Sequence, residues 1–279
     1  MKWMKMLSVV VAVIVGVFAA FGLYLYYAQD RMVFYPTHDL EVTPDQAGLV
    51  FEDCRIPVDT GAFVHAWYFP IESDSLSPVV LFCHGNGGNM SHRLETAQFL
   101  HEFGVAVLMF DYRGYGKSDG RPSENNLYRD VDVCYDWLQA EKRFKPDRIV
   151  LFGRSLGGAV AIDITARKPC RGLIVESSFT SIAAMGKRMF PILPVGLLLK
   201  YRFDSIEKIA RVTCPKLLTH SPDDEVIPYE MGRALYDRAV EPKTWVDLEG
   251  GHNGRDYLKR EDYRKAIESI LWNGGEKVQ

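Results

Sequence analysis

The stretch that decides the fold is Ile149-Val150-Leu151-Phe152-Gly153-Arg154-Ser155-Leu156-Gly157-Gly158-Ala159-Val160. Its first four residues are apolar, which is typical of a buried strand in a parallel sheet. Gly157, Gly158 and Ala159 give the following segment a small surface, so a helix there can pack closely on that sheet. Between strand and helix, Gly-x-Ser-x-Gly requires a sharp turn with Ser155 at its apex. The sequence therefore predicts a nucleophile elbow, in which a strained turn exposes a serine hydroxyl.

The motif alone is a weak signal. Gly-x-Ser-x-Gly occurs by chance in many proteins, where it is an ordinary turn. The strand-like run before Ser155 and the helix-like run after it favour the nucleophile over the turn. The remaining chain must then supply a base, an acid and an oxyanion site.

The composition is that of an ordinary globular protein. The chain has 279 residues, of which 47% are hydrophobic and 25% charged, with a net charge of -3. A nucleic-acid partner is not expected, because such binders carry a basic excess. We predict two parts, a membrane anchor in residues 1–30 and one catalytic α/β domain in residues 31–279.

The cysteines suggest neither a disulfide framework nor a metal site. There are five, and they are scattered and odd in number: Cys54, Cys83, Cys134, Cys170 and Cys214. No Cys-x-x-Cys pair suggests zinc, so neither a metal nor a cofactor is expected. Cys83 precedes His84, but a small buried residue at a strand end is favoured over a second nucleophile.

Residues 6–28 carry no charge and are rich in Val, Leu, Ile, Phe and Ala. At about 1.5 Å per residue, a helix of this length crosses a hydrocarbon core of about 30 Å. Lys2 and Lys5 precede it, and tyrosines gather at its far end, where aromatic rings favour the headgroup level. The lipid bilayer is therefore an expected partner, with the N-terminus cytoplasmic and the catalytic domain on the opposite, extracytoplasmic side. Arg31 on the far flank acts against this orientation.

Two alternatives remain for this segment. Val17-Phe18-Ala19 offers a cleavage site for a signal peptide, but the apolar run continues past it and exceeds the usual 7 to 15 residues of a signal core. A buried core helix would need protein on every side. An uncleaved anchor is favoured over both.

A second motif follows the apolar strand of residues 78–83. It reads His84-Gly85-Asn86-Gly87-Gly88-Asn89. Its glycines leave main-chain N–H groups open to a ligand. In an acyl-transfer enzyme this loop supplies an oxyanion donor, so the N–H groups of Asn86 and Leu156 are the candidates. A plain strand-to-helix turn is the alternative, and the phosphate-loop pattern is missing.

Several segments are assigned structural roles. Residues 31–44 read as an irregular connector, and residues 49–56 and 62–69 as antiparallel edge strands. The polar loop 111–123 borders the site and caps a helix near its end, with Arg113 open to either a structural or a ligand role.

Residues 190–203 are unusually apolar, with two prolines near their start. This segment is expected to be either a small lid over an acyl pocket or a helix packed on the domain.

Ser155, Asp224 and His252 each follow a predicted strand, in the order nucleophile, acid, histidine. A serine hydroxyl is a poor nucleophile, so His252 would remove its proton and Asp224 would orient and stabilise the imidazolium. Glu176 is kept as a reserve acid. His84 and His220 are assigned structural roles.

The chain resembles the membrane-anchored α/β-hydrolases related to protein depalmitoylases and serine-aminopeptidase-like hydrolases. The resemblance covers nearly the whole chain after residue 30 and rests on four motifs: His84–Asn89, Asp111–Gly116, Gly153–Gly158 and Gly250–Asn253. It implies a mostly parallel twisted sheet with helices on both faces and a short lid. The family pattern His-Gly-x-x-Asp-x-x-Val-Pro, matched by residues 220–228, selects Asp224 over Asp223, with Ser221 in place of the usual glycine.

The resemblance implies a serine hydrolase and leaves the scissile bond open. Cleavage of a carboxylic ester or thioester through an acyl-enzyme on Ser155 is expected first. A serine peptidase of the aminopeptidase-like type is the nearest alternative. A catalytically idle, membrane-tethered interaction protein is the alternative from another class.

Overall fold

An eight-stranded sheet forms the centre of the protein in the computed structural model, which describes residues 2–59, 61–71, 77–191, 196 and 199–272. Its strands are β2 Glu52–Asp59, β3 Ala62–Phe69, β4 Val79–Cys83, β6 Ala106–Phe110, β7 Ile149–Arg154, β8 Gly172–Glu176, β9 Lys216–His220 and β10 Lys243–Asp247. The order across the sheet is β10-β9-β8-β7-β4-β6-β3-β2. The short strands β1 Tyr35–Pro36 and β5 Gly87–Gly88 pair separately.

The sheet is parallel from β10 to β6 and antiparallel at β3 and β2. This confirms the predicted mostly parallel sheet with an antiparallel edge. The first edge strand begins at Glu52, three residues later than its predicted start at residue 49. Because parallel strands share a direction, the carboxyl ends of β4, β7, β9 and β10 meet at one rim.

Helices cover both faces of the sheet. They are α2 Leu94–His101, α3 Glu124–Ala140, α4 Leu156–Thr165, α5 Ile182–Met189, α6 Ser205–Ile209, α7 Tyr229–Arg238 and α8 Glu261–Trp272, preceded by α1 Lys2–Val33. Ser123 caps α3 by accepting a hydrogen bond from the Asn126 N–H, as predicted for the end of loop 111–123.

Alternate side chains of each central strand enter different cores. In β4, Val79, Leu81 and Cys83 pack in the core beneath α3 and α4, whereas Val80 and Phe82 pack in the core beneath α2 and α8. This two-residue alternation fixes the register of the strand. Burial on both faces explains why the strands read as continuous apolar runs.

Helix α1 is long and apolar enough to cross a membrane, although a signal sequence passes the same test. Residues 2–21 are exposed on every side. Gly22 and Gln29 are buried. The helix runs to Val33, so residues 31–33 of the predicted irregular connector are helical.

The end of α1 is fixed to the domain by specific contacts. The Asp30 carboxylate pairs with Lys200 Nζ at 2.6 Å and accepts a hydrogen bond from the Tyr201 hydroxyl at 2.6 Å. The Gln29 side-chain oxygen accepts from the Lys200 main-chain N–H at 2.7 Å. The Phe34 ring then lies edge-on against Tyr201, with 5.0 Å between centroids. These contacts define one orientation of the helix on the domain.

Candidate active site

Ser155 occupies a strained turn between β7 and α4. Its φ of 54° and ψ of -119° are unusual for a residue with a side chain. The Ser155 N–H donates to the Glu176 carbonyl oxygen at 2.8 Å, and the Ser178 hydroxyl donates to the Ser155 carbonyl oxygen at 2.9 Å. The turn therefore has the geometry of the predicted nucleophile elbow.

The glycines around this turn allow the helix to approach the sheet. A Cβ on Gly157 would lie 2.0 Å from the carbonyl oxygen of Cys83 in β4, and one on Gly153 would lie 2.2 Å from the Gly157 carbonyl oxygen. Neither position has room for a side chain. The motif is thus a packing requirement as well as a turn signal.

The structure brings Ser155, His252 and Asp224 together. His252 Nε2 lies 3.2 Å from the Ser155 Oγ, and His252 Nδ1 lies 2.7 Å from the Asp224 Oδ2. These distances allow a hydrogen bond at each step. The three side chains come from the ends of β7, β9 and β10 at the common rim.

Asp224 is held as an ionised carboxylate. Its Oδ1 accepts the main-chain N–H groups of Val226 at 2.9 Å and Ile227 at 2.7 Å. Burial raises the pKa of Asp224, but hydrogen bonds from His220, His252 and Ile227 outweigh it and hold the pKa well below its usual 3.8. The carboxylate therefore remains charged near neutral pH.

His220 contacts the acid directly. Its Nε2 lies 3.2 Å from Asp224 Oδ2 and 2.9 Å from the Ile227 carbonyl oxygen. His220 therefore has the structural role predicted from the sequence, and it has this role inside the site, where it contacts the Asp224 carboxylate. The sequence signal was its place four residues before Asp224 at the end of a strand.

One acidic and one basic side chain hold the loop that carries His252. The Glu225 carboxylate accepts the His252 main-chain N–H at 2.8 Å. The Arg154 guanidinium donates to the His252 carbonyl oxygen. Neither residue was singled out from the sequence, although both adjoin residues that were, namely Asp224 and Ser155.

Glu176 lies away from the imidazole and has other partners. Its carboxylate pairs with Arg154 Nε at 2.8 Å and accepts hydrogen bonds from the Tyr257 hydroxyl at 2.5 Å and the Tyr263 hydroxyl at 2.9 Å. Its oxygens are thus committed to a buried network that supports Arg154. The structure places Asp224, rather than Glu176 or Asp223, against His252.

Asn86 and Leu156, the predicted oxyanion donors, line one cavity with Ser155. Leu156 is the first residue of α4, so its N–H has no partner within the helix. The Asn86 side-chain oxygen accepts from the Tyr35 N–H and the Tyr115 hydroxyl, each at 3.2 Å. The side chain of Asn86 therefore braces the loop, and Asn86 shares the cavity wall with Ser155.

The other candidates have structural partners. Arg113 Nε pairs with the buried Asp130 carboxylate at 2.6 Å, which assigns it to loop support. His84 Nδ1 lies 2.7 Å from the Gly85 carbonyl oxygen. Cys83 is fully buried, as expected, and burial raises the pKa of its thiol. Among the described residues, no group of three His, Cys, Asp or Glu side chains is arranged to hold a metal ion.

Two cavities meet at Ser155. The first, of about 310 Å³, is mostly apolar, and helices α1 and α5 form much of its wall. The second, of about 370 Å³, contains Arg93, Arg154 and His252. Ser155 thus lines both an apolar cavity and a more polar one.

The segment predicted as a lid is described only in part. Residues 192–195 and 197–198 lie outside the described ranges. Phe190 and Leu199 line the apolar cavity, while Tyr201 and Phe203 are buried in the core. The wall formed by α5 was not foreseen, although Ile182, Met185, Gly186 and Met189 share the spacing of one helix face.

This arrangement is able to transfer a proton from a hydroxyl to an imidazole and to stabilise the resulting charge with a carboxylate. Together with main-chain donors beside the hydroxyl, it is suited to acyl transfer. An elbow between a parallel strand and a helix, with partners at the next strand ends, defines the α/β-hydrolase class of folds.

Comparisons with known proteins agree with this class. The family model of the serine aminopeptidases, S33, matches residues 74–202. The uncharacterized protein Rv2307c of Mycobacterium tuberculosis is 36% identical over 94% of each chain. The α/β-hydrolase domain-containing protein WAV2 of Arabidopsis thaliana is 30% identical over 80% of each chain.

Solved structures show the same fold. The esterase Pf2001 of Pyrococcus furiosus has a TM-score of 0.70 at 20% identity, covering 86% of this chain and 97% of its own. Est1E of Butyrivibrio proteoclasticus, solved with ferulic acid bound, has a TM-score of 0.65 at 21% identity, covering 79% and 98%. The chain belongs to the α/β-hydrolase superfamily.

Proposed function

We propose that the protein is a serine hydrolase that cleaves carboxylic ester or thioester bonds through an acyl-enzyme on Ser155. The observation that carries this proposal is the pair of contacts from Ser155 Oγ to His252 and from His252 to Asp224, at 3.2 and 2.7 Å. Ser155 lines the apolar cavity, and His252 lines the second cavity that Ser155 shares.

In the proposed reaction, Ser155 Oγ attacks the acyl carbonyl carbon while His252 Nε2 takes its proton. The carbonyl oxygen gains negative charge, which the N–H groups of Asn86 and Leu156 stabilise. Collapse of this intermediate breaks the bond to the leaving group, and His252 returns the proton to it. A water molecule then repeats the sequence, releasing the acid and restoring the Ser155 hydroxyl. Asp224 stabilises the imidazolium throughout.

The apolar cavity favours a substrate with an apolar acyl chain over a polar substrate. Its walls are side chains such as Phe179, Met185 and Ile227, with polar groups near Ser155. Ligand sites of this kind bind an apolar body and orient it with few polar contacts. Two structures with the same fold, Pf2001 and Est1E, are described as an esterase and as a protein with bound ferulic acid.

Peptidase activity is the second candidate. It is favoured by the serine aminopeptidase description of the family model over residues 74–202. A peptide amide needs protonation of an amine leaving group, which the same histidine is able to supply. The two candidates differ in substrate and share Ser155.

The test is a substrate panel of p-nitrophenyl esters, thioesters and peptide p-nitroanilides, assayed with the full chain. We expect ester or thioester turnover, and its loss in Ser155→Ala. Ser269→Ala, on α8, is the control and should retain turnover, because the Ser269 hydroxyl donates only to the Ala266 carbonyl oxygen of its own helix. Faster hydrolysis of the anilides would establish the peptidase instead. Absence of turnover across the whole panel would favour the idle interaction protein.

We also propose a membrane-anchored arrangement, with residues 1–30 as the anchor and residues 31–279 as the extracytoplasmic domain. Its support is the exposed apolar stretch of α1. A tag after residue 279 should be digested by protease added outside sealed cells. Protection of the tag would indicate the opposite orientation. A mature N-terminus near residue 20 would establish a cleaved signal peptide.

A further inference from the structure

The apolar cavity beside Ser155 is built partly from the membrane-spanning helix candidate. Leu25, Gln29, Met32 and Val33 of α1 line it together with Ser155. Their spacing of three or four residues places them on one face of the helix. Helix α5 lines the cavity with its own apolar face. The predicted anchor is thus part of the wall of the apolar cavity, which is called the chamber below because it is the proposed binding site for the substrate.

The segment after α1 pairs with the predicted oxyanion loop. Tyr35 and Pro36 pair with Gly87 and Gly88, and the Tyr35 N–H donates to the Asn86 side-chain oxygen at 3.2 Å. The helix is therefore connected to both the chamber and the predicted oxyanion donor. Its position relative to Ser155 is fixed by the chain itself.

The position of the chamber along α1 matches the surface of a bilayer. Counted from Met6, the first residue after Lys5, residues 6–25 extend about 30 Å along the helix axis, which is the thickness of a hydrocarbon core. Leu25 therefore lies at the far end of that length, and Gln29, Met32 and Val33 follow it. Tyr24 and Tyr27 beside it are 66% and 74% exposed, as aromatic rings at the headgroup level are. The chamber therefore lies at the boundary between acyl chains and headgroups.

We propose that the substrate is a long-chain acyl ester drawn from the bilayer, whose chain enters the chamber along α1. This proposal rests on the proposed function and names its substrate class. The acyl chain would leave lipid for a cavity that is also apolar. The ester carbonyl would stop at Ser155, where the polar groups begin.

The test uses the full chain in phosphatidylcholine vesicles with 4-methylumbelliferyl palmitate and butyrate. Leu25→Trp fills the chamber and should lower the palmitate-to-butyrate ratio of kcat/KM by about tenfold. Leu23→Trp is the matched control, because Leu23 is 58% exposed and does not line the cavity. It should keep the ratio of the unmodified protein. An unchanged ratio in Leu25→Trp would overturn the proposal.

A second variant covers the case in which Leu25→Trp fails to fold. Leu25→Ala removes apolar contact and should lower the same ratio about threefold, while Leu23→Ala should not. Palmitate ester placed in the enzyme's own vesicles should turn over much faster than ester in separate vesicles, and equal rates would refute entry from the bilayer. Absence of butyrate turnover by the unmodified protein would refute the proposed function itself.

The polar cavity carries an independent inference about the leaving group. The Arg93 guanidinium donates to the main-chain carbonyl oxygens of Gly87 at 2.8 Å and His92 at 3.3 Å. Within the described part of the chain, no carboxylate lies within ion-pair distance of it, whereas its neighbours Arg154 and Arg255 pair with Glu176 and Glu95. Burial and the charges of Arg255 and Arg154 lower the pKa of Arg93 to about 10, so it stays charged at neutral pH.

The geometry points to an anionic leaving group, such as a phosphorylated alcohol or thiol, bound by Arg93 beside Ser155. The charge of Asp111 acts on Arg93 from beyond ion-pair distance and raises its pKa less than burial and the two arginines lower it. A partly buried cation in this position gains most from a ligand that supplies an anionic group in direct contact. The acyl chain and the anionic group would then occupy opposite sides of the serine.

The test compares 4-nitrophenyl butyrate with 3-carboxy-4-nitrophenyl butyrate. Arg93→Gln should lower the anionic-to-neutral ratio of kcat/KM about tenfold, chiefly through KM, and Arg93→Lys should restore much of it. Arg167→Gln, which alters ion pairs with Asp132 and Asp163, is the control and should keep the ratio. Palmitoyl-CoA and palmitoyl-lysophosphatidylglycerol distinguish a soluble thioester from a lipid as the source of the anionic group, because Arg93→Gln should lower kcat/KM more for the physiological class. An unchanged kcat/KM with both substrates, or an unchanged anionic-to-neutral ratio with the butyrate esters, would overturn the assignment.

Discussion

The Arg154 guanidinium donates a hydrogen bond to the main-chain carbonyl oxygen of His252. The residue before the elbow serine thus holds the loop that carries the imidazole. Glu176 pairs with the same guanidinium at 2.8 Å and is itself held by two tyrosine hydroxyls. The distance between Ser155 and His252 is therefore set by a buried network as well as by the sheet.

Arg154→Lys should lower kcat for ester hydrolysis by about ten- to a hundredfold. Lysine keeps the positive charge beside Glu176 but does not have the guanidinium fork that reaches both Glu176 and His252. A hydrogen bond involving a charged group contributes about 1.5 to 3 kcal/mol, which corresponds to this loss if it serves only to position the histidine. Steady-state kinetics with a soluble short-chain ester measures the effect.

The control for Arg154 is Arg264→Lys, which alters an ion pair with Glu102 far from the rim. It should keep the kcat of the unmodified protein. If the melting temperature of Arg154→Lys fell so far that the variant unfolded under assay conditions, the loss of kcat would indicate a structural role. An unchanged kcat would show that Arg154 does not position His252.

Gly157→Ala should destabilise the domain by at least about 3 kcal/mol or prevent folding. The new Cβ would lie 2.0 Å from the Cys83 carbonyl oxygen, and main chain in the sheet centre cannot move away. Gly16→Ala is the matched change, since nothing lies within 4 Å of its Cβ position. Thermal unfolding in detergent compares the two. Equal melting temperatures would contradict the close packing of α4 on β4.

Asp224→Asn should lower the free energy of unfolding most at neutral pH. Because the folded pKa of Asp224 is depressed below 3.8, its ionised form stabilises the fold above that pH. The contribution declines as the pH falls below about 4, towards the folded pKa. The stability difference between variant and unmodified protein, measured by denaturant titration from pH 7 to pH 3, should narrow in that window. A difference that widens on acidification would contradict the depressed pKa.

Asn86→Ala should reduce kcat by about tenfold without abolishing hydrolysis. Alanine keeps the main-chain N–H proposed as the oxyanion donor and removes only the side chain that braces Tyr35 and Tyr115. Loss of a true side-chain donor costs about 10² to 10³ in kcat. A loss of that size with KM unchanged would transfer the oxyanion role to the Asn86 side chain.

Much of the fold could be predicted because its signals are local. The apolar runs of β4 and β7 reflect burial on both faces of a parallel sheet. The glycines around Ser155 are required because α4 packs closely on that sheet. The positions of Asp224 and His252 after strand-like runs gave the rim on which they meet. These signals lie within a few residues of the positions concerned.

The remaining features depend on contacts between distant parts of the chain. The role of Glu176 is decided by Tyr257 and Tyr263, more than eighty residues away. The packing of α1 against Lys200 joins segments 170 residues apart, and no periodicity within α1 distinguishes a wall from an anchor. The sequence therefore indicated an apolar helix but not its place in the binding chamber.

The most direct test is to identify the covalently modified residue after reaction of the full chain with a fluorophosphonate. Peptide mass spectrometry should find a single phosphonate on Ser155, with none in Ser155→Ala and slower labelling in His252→Ala and Asp224→Asn. Labelling retained in Ser155→Ala, or located on another residue, would contradict the account.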